Sequence, residues 1–355
     1  MTIRVEAGFD GANPHEPRAI QQVADDHFRV YPFSEDGDGN YKFGLNVRAV
    51  NDAPIPAPFL LEVEWADLEY MGARGFVFAG GGDDWTFIPA RVAGSVATVR
   101  AQIAPGATHF GLSPAYGLGD YETYADGLPR LGYRRREIGR SDQGRPIDAF
   151  DLGTGSRNML IVGRYHPYET AASFCLEGLL TWLAAPGREQ AKLVEGFHFT
   201  VVPMPNPDGV FMGLCKRTGL KGSDLSHEGA RGEDAPSRAL LALMDELRPN
   251  AMLDIHGWMH LDDDGLNYTG AGYRDRFVAL QSAHPLLKGN VWLGEQIGDA
   301  PSEGSLAQHL RHRFGTEELV PSFRWIGRTA SEMREIGAAT LRAACAALKP
   351  GQSPM

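Results

Sequence analysis

Apolar and polar positions alternate with a short period through the first third of the chain and then take on helical spacing. His27–Phe33 and Tyr41–Val50 alternate in the manner of half-buried strands. Leu60–Trp65, Gly75–Ala79, Trp85–Val92, Ser95–Ile103 and His109–Leu112 continue the series, and Asp36–Asn40 and Gly80–Asp84 are its clearest turns. Short strands at this spacing predict a β-sandwich over residues 1–125. A polar, Gly-rich passage from Tyr116 to Leu128 reads as the linker that follows it.

Beyond that passage, Asp148–Leu152, Met159–Val162, Phe197–Val202, Ala251–Ile255 and Phe314–Val320 read as strands. Helical spacing predicts helices over Thr170–Ala184, Ala235–Leu247, Tyr273–Ala283 and Ser331–Leu348. Strands that alternate with helices of this length predict an α/β fold over residues 126–355. Its expected form is a mixed, largely parallel sheet flanked by helices.

Composition narrows the function classes. A chain of 355 residues with 43% hydrophobic and 22% charged positions suits two soluble globular domains or one large one. A net charge of -11 argues against a nucleic-acid partner. Cys175, Cys215 and Cys345 are far apart and odd in number, so they support neither a disulfide framework nor a thiolate zinc site. The opening residues Met1–Glu6 lack the apolar core of a signal peptide, and no apolar run approaches membrane-spanning length. The expectation is a cytoplasmic protein with no membrane partner. Its oligomeric state is not legible.

Candidate chemistry sits where the strands stop. Asn158–Gly163 is an apolar run that leads into His166-Pro167-Tyr168-Glu169 and then into a helix. Open α/β sheets place their sites at such carboxyl edges. Met252–Ile255 leads likewise into His256. Two imidazoles and a carboxylate are the three protein ligands of a hydrolytic zinc, so one Zn²⁺ is expected on His166, Glu169 and His256. The plainer alternatives are a surface histidine and a glutamate favoured by a helix dipole. Glu317 and Glu318 interrupt an apolar strand pattern. One of them is either a general base near the metal or merely solvated.

Several motifs together resemble the zinc metallocarboxypeptidases, most closely their cytosolic-carboxypeptidase branch, whose members carry a β-sandwich before the peptidase domain. The likeness spans essentially the whole chain. Ile138–Ile147 resembles the family's opening segment and His166–Glu169 its first zinc motif. Val202–Val210 contains the specific Asn-Pro-Asp-Gly loop, Asp254–Gly257 resembles the third-ligand strand, and Thr316–Leu319 fits Thr-x-Glu-Leu. The resemblance selects Glu318 over Glu317 as the general base. It makes Arg217, seven residues before Asp224, the group that polarises the scissile carbonyl. Asp224 becomes the aspartate that orients the first zinc histidine.

One departure bears on substrate. The family follows that aspartate with x-Asn-Arg, a clamp for a terminal carboxylate, whereas this chain has Ser226-His227. Loss of a bidentate arginine weakens selection for a free C-terminus. His227, Arg231 or Arg324 would have to replace its charge, or the substrate has no terminal carboxylate. Tyr268 and Tyr273 are the candidates for the family's mobile tyrosine. The expected function is therefore zinc-dependent hydrolysis of an amide or peptide bond. The alternatives are a small-molecule or side-chain amide hydrolase and a non-catalytic zinc-binding protein in which His260 adds a ligand.

Overall fold

The computed structural model describes residues 3–13, 20–35, 44–64, 76–258, 263–298 and 304–348. The expected turn Asp36–Asn40 and His260 lie outside them. The N-terminal part forms two five-stranded sheets. One runs in the order Ile3–Glu6, Asn46–Asn51, Gly106–Gly111, Phe76–Gly81, Asp84–Pro89. The other runs Ile20–Ala24, His27–Val30, Ala57–Glu64, Val96–Ile103, Arg91–Ala93. Period-two patterning sets which side is inward: Ala57, Phe59, Leu61 and Val63 are buried while the residues between them are not. Phe59 of one sheet meets Phe110 of the other with ring centroids 4.9 Å apart.

The expected linker is instead a packed element. Leu118–Ala125 is helical, a 3₁₀ turn follows at Leu128–Leu131, and Leu118, Tyr121, Ala125 and Leu128 are buried. Their helical spacing was masked by the glycines and acids between them. Tyr116 donates to Glu177 Oε1 at 2.8 Å and Tyr133 to the Leu180 carbonyl at 2.8 Å, which ties this segment to the helix Thr170–Ala184.

The remaining strands form one eight-stranded mixed sheet. Its order is Arg134–Arg140, Pro146–Leu152, Phe197–Val202, Arg157–Gly163, Ala251–Trp258, Glu317–Arg324, Asp264–Tyr268, Trp292–Leu293. The four central strands are parallel, so their carboxyl ends share one edge. The helices Thr170–Ala184, Ala235–Leu247 and Ala330–Ala347 match expectation within a residue, and Ala271–Gln281 lies two residues earlier than expected. Arg188–Gly196 and Leu306–Phe314 are additional helices, the second ending on Phe314, which had been expected to start a strand.

Thr170–Ala184 and Ala330–Ala347 pack against each other through glycines. A methyl group on Gly178 would overlap the Arg334 backbone, and one on Gly337 would overlap the Cys175 carbonyl. Helix Thr170–Ala184 starts at Glu169, so this contact helps to hold one of the candidate metal ligands. Gly337→Ala is expected to lower stability by about 1–3 kcal/mol through overpacking. Urea unfolding should show a lower midpoint at unchanged slope; an unmoved midpoint would show that the helices separate freely.

Candidate metal centre

The central strand Arg157–Gly163 ends in a turn at Arg164, which has φ 57° although it is not glycine. Strain of this kind persists only where surrounding contacts impose it. Here the fully buried guanidinium donates to Ser173 Oγ at 2.7 Å, to the Tyr116 carbonyl at 3.1 Å and to the Pro167 carbonyl at 2.8 Å. Its pKa is lowered to about 10, first by burial. The turn sends the chain over the sheet edge, so that His166 and Glu169 lie beside the end of the neighbouring strand and its His256.

There the two imidazoles share one carboxylate. His166 Nδ1 lies 2.8 Å from Glu169 Oε1, and His256 Nδ1 lies 2.8 Å from Glu169 Oε2. The Gly257 amide also donates to Oε2, at 3.0 Å. One ligand atom from each of the three residues falls within 4.8 Å of the others, and all three residues are buried. The outward nitrogens are backed by carboxylates as well: His166 Nε2 lies 3.1 Å from Asp224 Oδ1 and His256 Nε2 lies 3.0 Å from Asp254 Oδ2. Inward Nδ1 atoms with outward nitrogens on aspartates are the arrangement that orients imidazoles around a metal. The donor set suits zinc in its oxygen and nitrogen chemistry. Burial opposes the charge on every member, yet Glu169 and Asp224 together raise His166 to about 9, while the two imidazoles hold Glu169 well below the ordinary carboxylate range.

Asp224 also caps the four-residue helix Leu225–Glu228, accepting from the Ser226 and His227 amides at 3.0 and 3.3 Å. This cap brings His227 near His166, their ring centroids 6.4 Å apart. Burial and the neighbouring positive groups together hold His227 below its ordinary pKa of 6.5 despite Asp224. Arg217 donates from Nη1 to the Gly222 carbonyl at 2.8 Å and to Glu228 Oε2 at 3.1 Å. Arg231 reaches the other oxygen of Glu228 at 3.4 Å. Buried Lys216, not expected from the sequence, places Nζ 3.4 Å from Asp224 Oδ2.

Glu318 stands on the strand Glu317–Arg324. It is buried, but its Cα pairs with Met252, whereas His256 pairs with Ser322. Four residues along a strand put Glu318 roughly 13 Å below the level of His256. Its Oε2 has no hydrogen-bond partner, and neither has Tyr165 Oη or Asp254 Oδ1. Desolvation first, and repulsion from Asp254 second, drive Glu318 toward the neutral acid. The Glu318 Cα thus lies four residues below the level of His256, while its carboxyl still interacts electrostatically with His256. Strand register decided this, and register was invisible in the Thr-x-Glu-Leu spacing. Tyr273 is buried and bonded to the Ala344 carbonyl, in a structural role. Tyr268 is half-buried under Arg274. The Arg324 amide donates to Asp264 Oδ1 at 2.8 Å. Asp254 was missed, although an acid inside the apolar run Met252–Ile255 was the available signal.

Comparison with known proteins agrees with the family likeness. Residues 132–257 match the zinc carboxypeptidase family model. The match ends before Glu318. An uncharacterised Zymomonas mobilis protein is 26% identical over 72% of this chain and 68% of its own length. Mouse cytosolic carboxypeptidase 6 is 32% identical over 30% of this chain, and the aligned part spans only 22% of that relative. A Burkholderia cenocepacia metallo-carboxypeptidase superposes with a TM-score of 0.80, covering 98% of this chain and 99% of that one at 20% identity. A Pseudomonas aeruginosa metallo-carboxypeptidase gives 0.75 at 18% identity, covering 97% of this chain and 98% of that one. At those identities the structures establish a shared fold. Among the described residues no helix is long and apolar enough to cross a membrane.

The carboxylates behind the imidazoles give a direct test. Asp224→Asn and Asp254→Asn should each weaken zinc retention about 10–100-fold in a chelator competition. Wild-type affinity in both would show that neither aspartate orients a ligand.

Proposed function

We propose that this chain is a zinc-dependent hydrolase of amide or peptide bonds, built on a carboxypeptidase frame with an altered substrate clamp. The observation that supports it most is the convergence of two Nδ1 atoms on Glu169, each imidazole backed by its own aspartate. His166, Glu169 and His256 would hold one zinc, whose Lewis acidity acts on a water and on a substrate carbonyl. Arg217, anchored by Glu228, carries the charge that steadies the oxyanion.

Proton transfer in this reading falls to His227 and not to Glu318. A general base must reach the attacking water in its basic form. Glu318 lies deep in the sheet and is driven toward its acid, whereas His227 has its ring centroid 6.4 Å from that of His166 and is held toward its neutral form. As the water oxygen bonds to the carbonyl carbon, its proton passes to the imidazole. The same proton then goes to the departing amine as the carbon–nitrogen bond breaks. A neutral His227 beside Ser226 also supplies no fixed cation for a terminal carboxylate. The substrate class is therefore a peptide or small amide that need not end in one.

Metal analysis should give one zinc per chain. Free, amidated and γ-linked glutamyl peptides should be turned over without a strong preference for the free acid; strict dependence on it would restore an exopeptidase with another clamp. Loss of kcat by about 10²-fold or more in His227→Gln, with Glu318→Gln near wild type, is the expected pattern. The rate should rise with pH through a pKa below 6.5, and this limb should vanish in His227→Gln. The reverse pattern of variants would return the base to Glu318.

A further inference from the structure

A carboxylate in the N-terminal part of the chain meets the segment that leads to Asp224. Three successive amides, those of Cys215, Lys216 and Arg217, point at Glu35: Cys215 donates to Oε2 at 2.9 Å, Lys216 to Oε1 at 2.5 Å and Arg217 to Oε1 at 2.7 Å. Consecutive amides turned to one side form a concavity that favours an anion. Here the anion comes from the N-terminal part of the chain, 180 residues before Cys215.

Neighbouring contacts fasten the same stretch. The Gly11 amide donates to the Phe211 carbonyl at 3.0 Å, Asn13 Nδ2 to the Gly213 carbonyl at 2.5 Å, and Cys215 Sγ to the Phe33 carbonyl at 3.2 Å. Gly213 has φ 60°, and a side chain there would overlap Ala12. The segment Phe211–Arg217 is thus held by loop residues of the N-terminal part, Gly11–Asn13, Phe33 and Glu35. Its effect on the site runs through Lys216, whose ammonium lies 3.4 Å from Asp224 Oδ2, while Asp224 Oδ1 lies 3.1 Å from His166 Nε2.

We infer that Glu35 is a positioning residue for the metal centre: it fixes the backbone that places Lys216 on Asp224, and thereby sets the orientation of His166. The inference rests on the reading of His166, Glu169 and His256 as a zinc site. It gives the N-terminal part of the chain a role in assembling that site.

The experiment compares Glu35→Gln, Glu35→Ala, Lys216→Met and the double variant Glu35→Gln/Lys216→Met in the full chain. Readouts are zinc affinity by chelator competition, the visible spectrum of the cobalt-substituted protein, and thermal stability. Glu35→Gln keeps the volume and one acceptor oxygen, so it guards against loss of folding in Glu35→Ala. Expected are a fivefold or greater loss of zinc affinity and a changed cobalt spectrum in both Glu35 variants, reproduced by Lys216→Met. The double variant should be no worse than the poorer single one, because both changes act along one path. Wild-type affinity and spectrum in both Glu35 variants, whatever their stability, would overturn the inference. So would fully additive losses in the double variant. A wild-type protein that binds no zinc would instead overturn the reading of the metal site itself, and the inference with it.

Discussion

A single carboxylate approached by two imidazoles organises everything around this site. Glu169 stands at the first turn of a helix, His166 on the turn before it and His256 at the end of the adjacent parallel strand. Burying three such groups together is expensive unless their charges and hydrogen bonds are mutually satisfied. The fold meets that demand with an outer ring of acids, Asp224 and Asp254, one behind each imidazole. A strained arginine turn and a glycine-mediated helix contact hold the pieces in place.

This arrangement explains why the clustering of His166, Glu169 and His256 was legible and the depth of Glu318 in the sheet was not. Ligands at strand ends announce themselves, because an apolar run that stops in His-x-x-Glu, or in His after an acid, is an uncommon pattern. Glu318 followed the same logic, but its place along the strand was not legible. An acid in an apolar strand says that the position is buried and polar, but not how far along the neighbouring strand it lies. Four residues of register separate it from His256, and pairing between distant strands is set by tertiary packing. Asp254 carried the same signal and sits at the level where it touches an imidazole. The helix Leu118–Ala125 was obscured for a local reason: glycine and acids diluted an otherwise helical apolar spacing.

The substrate side of the site follows from the four-residue helix after Asp224. Its cap draws the Ser226 and His227 amides onto the aspartate that also holds His166, so this short helix and the candidate ligand His166 are mechanically joined. Arg217 and Arg231 both turn to Glu228, which partly neutralises them.

Anomalous diffraction at the zinc edge from crystals grown with the metal tests the central claim most directly. One strong peak within bonding distance of His166 Nδ1, Glu169 and His256 Nδ1, with both outer nitrogens still on their aspartates, is the predicted result. An absent peak, coordination through the outer nitrogens, or a fourth side chain closing the coordination sphere would contradict the account.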